Sequence, residues 1–461
     1  MSDSNSSLRK AASLCCKKIH IGAAILPKPL FEYDTIDVAN IDVVKDDNSI
    51  RIDDNQHTIE PIKNATVSYP SQYPPLHSIS DTNEIYPTKK LPMYAQVLIR
   101  EFNSVVIEHH LKWSPLCHTL PGPINASSPS DRIGRYDFYH VDAMVDFALQ
   151  HDMEVKGHTL IWHVTSPVEF LNTLDAKQLE EEMRRHIFTT MGHFRGRIHM
   201  WDVVNEALAP DGSLANNIFL RKIGPCYIEK AFRYAHEADP SAILIYNDNK
   251  VEGGVDGPNP QKAEGYYKLL QSLVKNKVPI HAAGMQSHFN AGGVGVNRVP
   301  SPFAVKQQIH RIGNLGLKVH FSEMDVRVSQ LPLNLQNLAQ RQIYHDIIAA
   351  ALTEPAFDGV WLWGFTDRHT WVKNFYYDDS PLVLDEMYQK KEAYIGLLDA
   401  LRTLNVSGIV GGGVNLNSDV DSENRPWGYK WITNDCEADK SQQTIAFGDE
   451  RPDWVHESQN P

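Results

Sequence analysis

The sequence predicts a closed (β/α)8 barrel, an α/β fold, and two observations carry the prediction. Eight short apolar runs, rich in β-branched and aromatic residues, alternate with longer helical patterns. All but the first of these runs also carry polar residues toward their C-terminal ends, where a strand buried in a barrel should stay apolar. Alternation by itself leaves a doubly wound open sheet possible, and the count of eight units favours closure.

The runs are IHIGAAIL (19–26), SVVIEHH (104–110), EVKGHTLIWH (154–163) and IHMWDVVNEA (198–207). They continue with AILIYNDN (242–249), AAGMQSH (282–288), KVHFSEMDVR (318–327) and GVWLWGFTD (359–367). Their lengths suit strands. The stretches between them, such as YHVDAMVDFALQH, AKQLEEEMRRHIFTTMGHF, PCYIEKAFRYAHEA and AEGYYKLLQSLVKN, carry helical patterning. The polar ends hold Glu108 and His109, His158 to His163, Asn205 and Glu206, and Asn247 and Asp248. Later runs add Gln286 and His288, Glu323 and Asp325, then Trp363 and Asp367. In a barrel of this kind the active site is built from that C-terminal rim.

Spacing shows what has been added. From the second run onward, starts recur every 36 to 50 residues, but 85 separate the first from the second. The surplus, 33–90, is polar, contains proline and lacks helical periodicity, so it reads as an insertion after strand one, with room for a β-hairpin. A shorter insertion, 118–135, reads as a rim loop. The expected organisation is a barrel over 19–404, interrupted by 33–90, and an irregular C-terminal extension over 405–461. Within that tail, PWGYKW (426–431) reads as packing against the barrel or as a sugar-stacking patch.

Composition excludes several classes of function. The 461 residues hold 44 basic and 57 acidic side chains, a net charge of -13 that repels phosphate backbones and disfavours nucleic acid as a partner. Five scattered cysteines without a Cys-x-x-Cys give neither a disulfide framework nor a zinc cage. No apolar run approaches the roughly 18 residues of a membrane span, so no membrane partner is expected. AASLCC is broken by Lys17 and Lys18, so no secretory signal is visible. As read, the chain stays in the cytosol; an incomplete start would look the same.

The chemistry starts from two glutamates. Glu206 closes WDVVNEA and Glu323 lies in HFSEMDVR, at the ends of the fourth and seventh barrel strands, facing across the mouth. Two carboxyls facing across a cleft are the minimal machinery of glycoside hydrolysis. His158, His163 and His288 raise the alternative of a metal-dependent hydrolase, but no His-x-His occurs, and adjacent His109 and His110 would point to opposite faces of a strand. Neither metal nor cofactor is expected.

Taken in order, GHTLIWH, WDVVNEA, QSH, FSEMD and WGFTDRHTW resemble the signature blocks of glycoside hydrolase family 10, retaining endo-β-1,4-xylanases with a (β/α)8 barrel. The likeness spans about 300 residues, from near 21 to near 404 less the insertions. It implies Glu206 as acid/base and Glu323 as nucleophile. It further implies Asn205 on the sugar 2-hydroxyl, His288 on the nucleophile carboxylate, and Asp325 next to that network. Glu108, Lys112, His158 and Trp162 match residues that hold the sugars on the non-reducing side, with Trp363 and Trp371 as aromatic walls. Gln286 and His163 join the binding set, His163 reading equally as a structural histidine and Trp363 as barrel core. The implied partner is β-1,4-xylan or its oligosaccharides, handled by a monomer. A catalytically silent carbohydrate-binding barrel is the competing reading; it would be expected to lose a carboxylate, and both are present.

The chain also departs from the family pattern. The usual Glu-Asn-x-Met-Lys-Trp reads Glu108, His109, His110, Leu111, Lys112, Trp113, so the asparagine for the distal sugar is His109. After the third strand a glutamine and a tryptophan are replaced by Thr165 and Glu169. Asn-Asp-Tyr-Asn becomes Asn247, Asp248, Asn249, Lys250. The site next to the cut is expected whole and the distal glycone subsite altered.

Overall fold

The computed structural model describes residues 7–15, 17–32, 91–117, 136–376 and 378–407. The 33–90 insertion, the 118–135 loop and PWGYKW lie outside the described residues.

Among the described residues there are nine parallel strands: β1 (His20–Ile25), β2 (Ser104–Ile107), β3 (Glu154–Gly157), β4 (Met200–Asn205), β5 (Ile243–Asp248), β6 (Ala282–Met285), β7 (His288–Asn290), β8 (Lys318–Arg327) and β9 (Phe357–Leu362). Eight close the barrel: β1 to β6 pair in order, β6 pairs with β8, and β9 returns to β1 with His20 opposite Gly359. The short β7 pairs with the far end of β8, His288 opposite Asp325. The sixth run, expected as one strand to His288, therefore breaks after Met285 and restarts at His288. The break is at Ser287, whose φ of 63° is left-handed.

A helix follows each barrel strand: Met93–Glu101, Tyr139–Gln150, Ala176–His193, Tyr227–Ala238, Pro260–Lys275, Pro302–Gly313, Leu333–Leu352 and Glu392–Ser407. Helix Tyr227–Ala238 buries Tyr227, Ile228, Ala231, Phe232 and Ala235, one face of a 3.6-residue repeat. Helix Ala176–His193 starts at a capping box in which Asp175 and Gln178 satisfy each other's backbone N–H. A further helix, Leu8–Ser13, docks on the outside. The Leu8 N–H (3.0 Å) and the Tyr394 hydroxyl (2.7 Å) both donate to one oxygen of buried Glu101, joining the chain before β1 to the helix after β9.

Two apolar cores result. One fills the space between strands and helices. The other lies inside the barrel, formed by Ala24, Val106, Met200, Ile245, Ala282 and Trp361, and topped by Trp363. The Trp361 indole crosses Gly22 so closely that a Cβ there would come within 2.1 Å of it, which requires glycine. Removing a buried tryptophan from such a core costs about 3–5 kcal/mol. Above this plug the registers slip, between Asp202 and Val204 on β4 and between Phe321 and Met324 on β8. Such irregularities re-aim side chains. They fall immediately before Glu206 and at Glu323.

Candidate active site

Glu206 follows β4 in a left-handed conformation, φ 53°, with its N–H on the Asn247 carbonyl at 2.9 Å. That conformation costs a non-glycine residue roughly 1–3 kcal/mol, here sustained by the pairing around it. Its carboxylate is half-buried and accepts from Trp162 Nε1 (3.1 Å) and Gln286 Nε2 (2.8 Å). Glu323 is more deeply placed, 5% exposed. One of its oxygens accepts from Asn247 Nδ2 at 2.7 Å, and the other meets His288 Nε2 at 3.3 Å. The second His288 nitrogen faces Asp325 Oδ2 at 2.9 Å, and Trp371 Nε1 donates to that same oxygen at 2.8 Å.

Two amides join the carboxylates. Asn247 Nδ2 also donates to Asn205 Oδ1 (2.9 Å), which Gln286 Nε2 reaches at 3.4 Å. Asn247 cannot flip without loss, because its Oδ1 accepts the Ser322 hydroxyl at 2.6 Å. Asn205, Glu206, Gln286, His288, Glu323 and Asp325 thus form one hydrogen-bonded group with Trp162 and Trp371 at its ends.

Burial alone would raise the Glu323 carboxyl, but attraction to His158 and its bond to His288 outweigh that and hold it below the usual carboxylate range. Burial likewise works against a charged His288, yet Asp325 and Glu323 overcome it and raise the imidazole to about 10. His288 is therefore a fixed cation, with a carboxylate on each ring nitrogen.

On one side of the pair lie Glu108, Lys112, His158, Trp162 and Trp363. The Lys112 ammonium sits 4.9 Å from the Trp162 ring centre and 5.8 Å from that of Trp363, close enough for cation–π attraction. Burial pushes the half-buried Glu108 up to about 7, with Lys112 opposing. His158 stands edge-on to Trp363 at 5.1 Å. Its Nδ1 meets Asp202 Oδ2 at 2.9 Å, the oxygen that buried Lys156 reaches at 2.8 Å. Trp363 crowns the interior core and also faces His158 and Lys112. His163 is half-buried one residue beyond Trp162, on the same loop. Farther out, His109 and Glu169 are exposed and Thr165 is half-buried, its carbonyl accepting the Ser114 N–H at 2.8 Å between the loops after β2 and β3. Among the described residues no group of three or more His, Cys, Asp or Glu is arranged to hold a metal.

Sequence reasoning placed Asn247 on the rim without giving it a role and left Ser322, Asp202 and Lys156 out of the candidate set. Asp202 and Lys156 were findable, since both lie on barrel strands as charges where apolar residues belong. Ser322 carried no signal.

A (β/α)8 barrel with two carboxylates tied into one polar group at its mouth, flanked by indoles, is the architecture of a glycoside hydrolase. The chain matches the Glycosyl hydrolase family 10 profile over residues 75–400 and belongs to that family. It is 33% identical to endo-1,4-beta-xylanase B of Thermotoga neapolitana, over 67% of this chain and 83% of that protein. Identity to exoglucanase XynX of Acetivibrio thermocellus is 32%, over 86% of this chain but only 35% of that much longer protein. Among solved structures, xylanase 10B from Thermotoga petrophila in complex with xylobiose superposes with a TM-score of 0.65 at 29% identity, covering 87% of this chain and 98% of that one.

Proposed function

We propose that this hydrolase cleaves β-1,4-xylosidic bonds within xylan or xylo-oligosaccharides, with retention, through a glycosyl-enzyme on Glu323. The observation that carries the reading is the asymmetry of the two carboxyls. Glu323 is buried, shifted toward its ionised form and aimed by two partners, Asn247 and His288, as a nucleophile requires. Glu206 is more open and hydrogen-bonded to an indole and an amide, as suits a group that exchanges a proton with a leaving oxygen and then with water.

In the first step a Glu323 oxygen attacks the anomeric carbon while Glu206 gives its proton to the departing oxygen. Bonding at Glu323 removes its negative charge, so Glu206, now a carboxylate, takes a proton from water, whose oxygen displaces Glu323. Asn205 is the partner for the sugar 2-hydroxyl, with its Oδ1 already occupied by Asn247 and its amide N–H left to donate. Trp162, Trp363 and Trp371 offer apolar faces to the pyranose rings, and Glu108, Lys112 and His158 take their hydroxyls. One chain supplies all these residues, and we take the monomer as the working unit. His109, Thr165 and Glu169 make the distal glycone subsite different from the family pattern.

The test is hydrolysis of xylan, cellulosic and mixed-linkage oligosaccharides, with Glu206→Ala and Glu323→Ala beside the wild type and the product anomer followed by NMR. Retained β-anomer from xylan, lost in both variants, is expected. No wild-type activity on any of them, or activity surviving Glu323→Ala, overturns the assignment. For the distal subsite, His109→Asn should lower KM for xylotriosides relative to xylobiosides; equal KM ratios refute the altered subsite.

A further inference from the structure

Gln286 and His288 serve different carboxyls although one residue separates them. Gln286 donates to Glu206, and His288 bonds to Glu323 and Asp325. What lets neighbours reach so far apart is Ser287, fully buried, whose left-handed φ of 63° ends β6 and starts β7. Serine does not favour that region, and no glycine relieves it. The turn is held from outside: the Ser287 N–H donates to Glu252 Oε1 at 2.7 Å, while its own hydroxyl donates back to the Met285 carbonyl at 3.1 Å. Glu252 is itself only 5% exposed and comes from the loop after β5, a different unit of the barrel. The titratable groups facing it are His288, Lys262 and Tyr266.

We propose that Glu252 is a positioning residue for both carboxyls: by receiving the Ser287 N–H it fixes the turn that aims Gln286 at Glu206 and His288 at Glu323. It touches neither substrate nor reacting atoms. The proposal rests on the acid/base and nucleophile roles given above.

The experiment measures kcat, KM and their pH dependence on an aryl β-xylobioside for Glu252→Leu, Glu252→Gln and the wild type, with thermal unfolding of each. Misaiming catalytic partners by about an ångström costs on the order of 100-fold, so Glu252→Leu should lose about 10- to 100-fold in kcat with KM changed little. Both limbs of its pH profile should move to higher pH, because a carboxylate that loses a donor is less readily ionised. Glu252→Gln keeps an acceptor oxygen and should restore kcat to within several-fold and return the limbs to their wild-type positions. A folded Glu252→Leu whose limbs stay in place, or a Glu252→Gln no better than Glu252→Leu, overturns the proposal. Should Glu252→Leu not fold, Ser287→Gly is added to relieve the left-handed turn, and unmoved limbs in that double variant overturn it equally. Glu323→Ala, run in parallel, separates the two layers. If it stays active, the nucleophile assignment fails; if it is dead and the limbs do not move, only the role of Glu252 fails.

Discussion

Asn247→Ala is the perturbation that most directly probes how the nucleophile is kept ready. It removes the amide that donates to Glu323 at 2.7 Å and to Asn205 at 2.9 Å, and it strands the Ser322 hydroxyl in a buried site. A hydrogen bond to a charged group is worth about 1.5–3 kcal/mol. At about 1.4 kcal/mol per factor of ten, kcat/KM should fall by about 10- to 150-fold. The acid limb of the kcat/KM profile should also move to higher pH, since burial then meets less opposition at Glu323. Asn247→Asp, though nearly isosteric, should be worse than alanine because it sets a second negative charge against the nucleophile. The assay is steady-state hydrolysis of an aryl β-xylobioside across pH, with unfolding curves to confirm a native fold. A folded Asn247→Ala within about twofold of the wild type, with its acid limb in place, would refute the reasoning.

Gly284→Ala should reproduce part of that loss without removing a polar atom, since the added Cβ would come within 2.3 Å of Asn247 Oδ1; kcat/KM on the same substrate is the measure. Lys156→Met should destabilise the barrel by about 3–5 kcal/mol by leaving Asp202 buried with one partner fewer, as read by denaturant unfolding. His288 is raised from 6.5 to about 10 in the folded chain, so its contribution to stability is fully present below the lower value and is lost as pH climbs to the upper one. Between them the gap in unfolding free energy between wild type and His288→Gln should narrow by about 1.4 kcal/mol per pH unit, and a constant gap would contradict it.

How much of this was legible in the sequence depended on whether a residue's role was local. The strands could be read because each is a short run of β-branched and aromatic residues, and Glu206 and Glu323 because one acid sits at the end of such a run and the other inside one. What could not be read depended on contacts between distant strands. Asn247 stands where any strand gives way to a turn, and only Ser322 and Gly284, brought beside it by closure, make it the link between Asn205 and Glu323. The break in the sixth run was hidden for the same reason. QSH looks like the continuing end of a strand until Glu252 arrives from the preceding unit to hold Ser287 in a turn. Lys156 and Asp202 were visible as charges inside strands, yet their shared oxygen with His158 appears only when β3 and β4 lie side by side.

The shared anchor at Glu101 has an architectural consequence. Helices Leu8–Ser13 and Glu392–Ser407 meet on the outside of the ring, where the chain leading into β1 enters at the foot of the barrel. Glu32 and Cys117, where the 33–90 and 118–135 segments depart, instead follow β1 and β2 on the mouth side. The barrel thus offers two separate docks for new sequence. A segment joined at the foot starts away from Glu206 and Glu323, whereas one joined at the mouth starts on the rim that carries them.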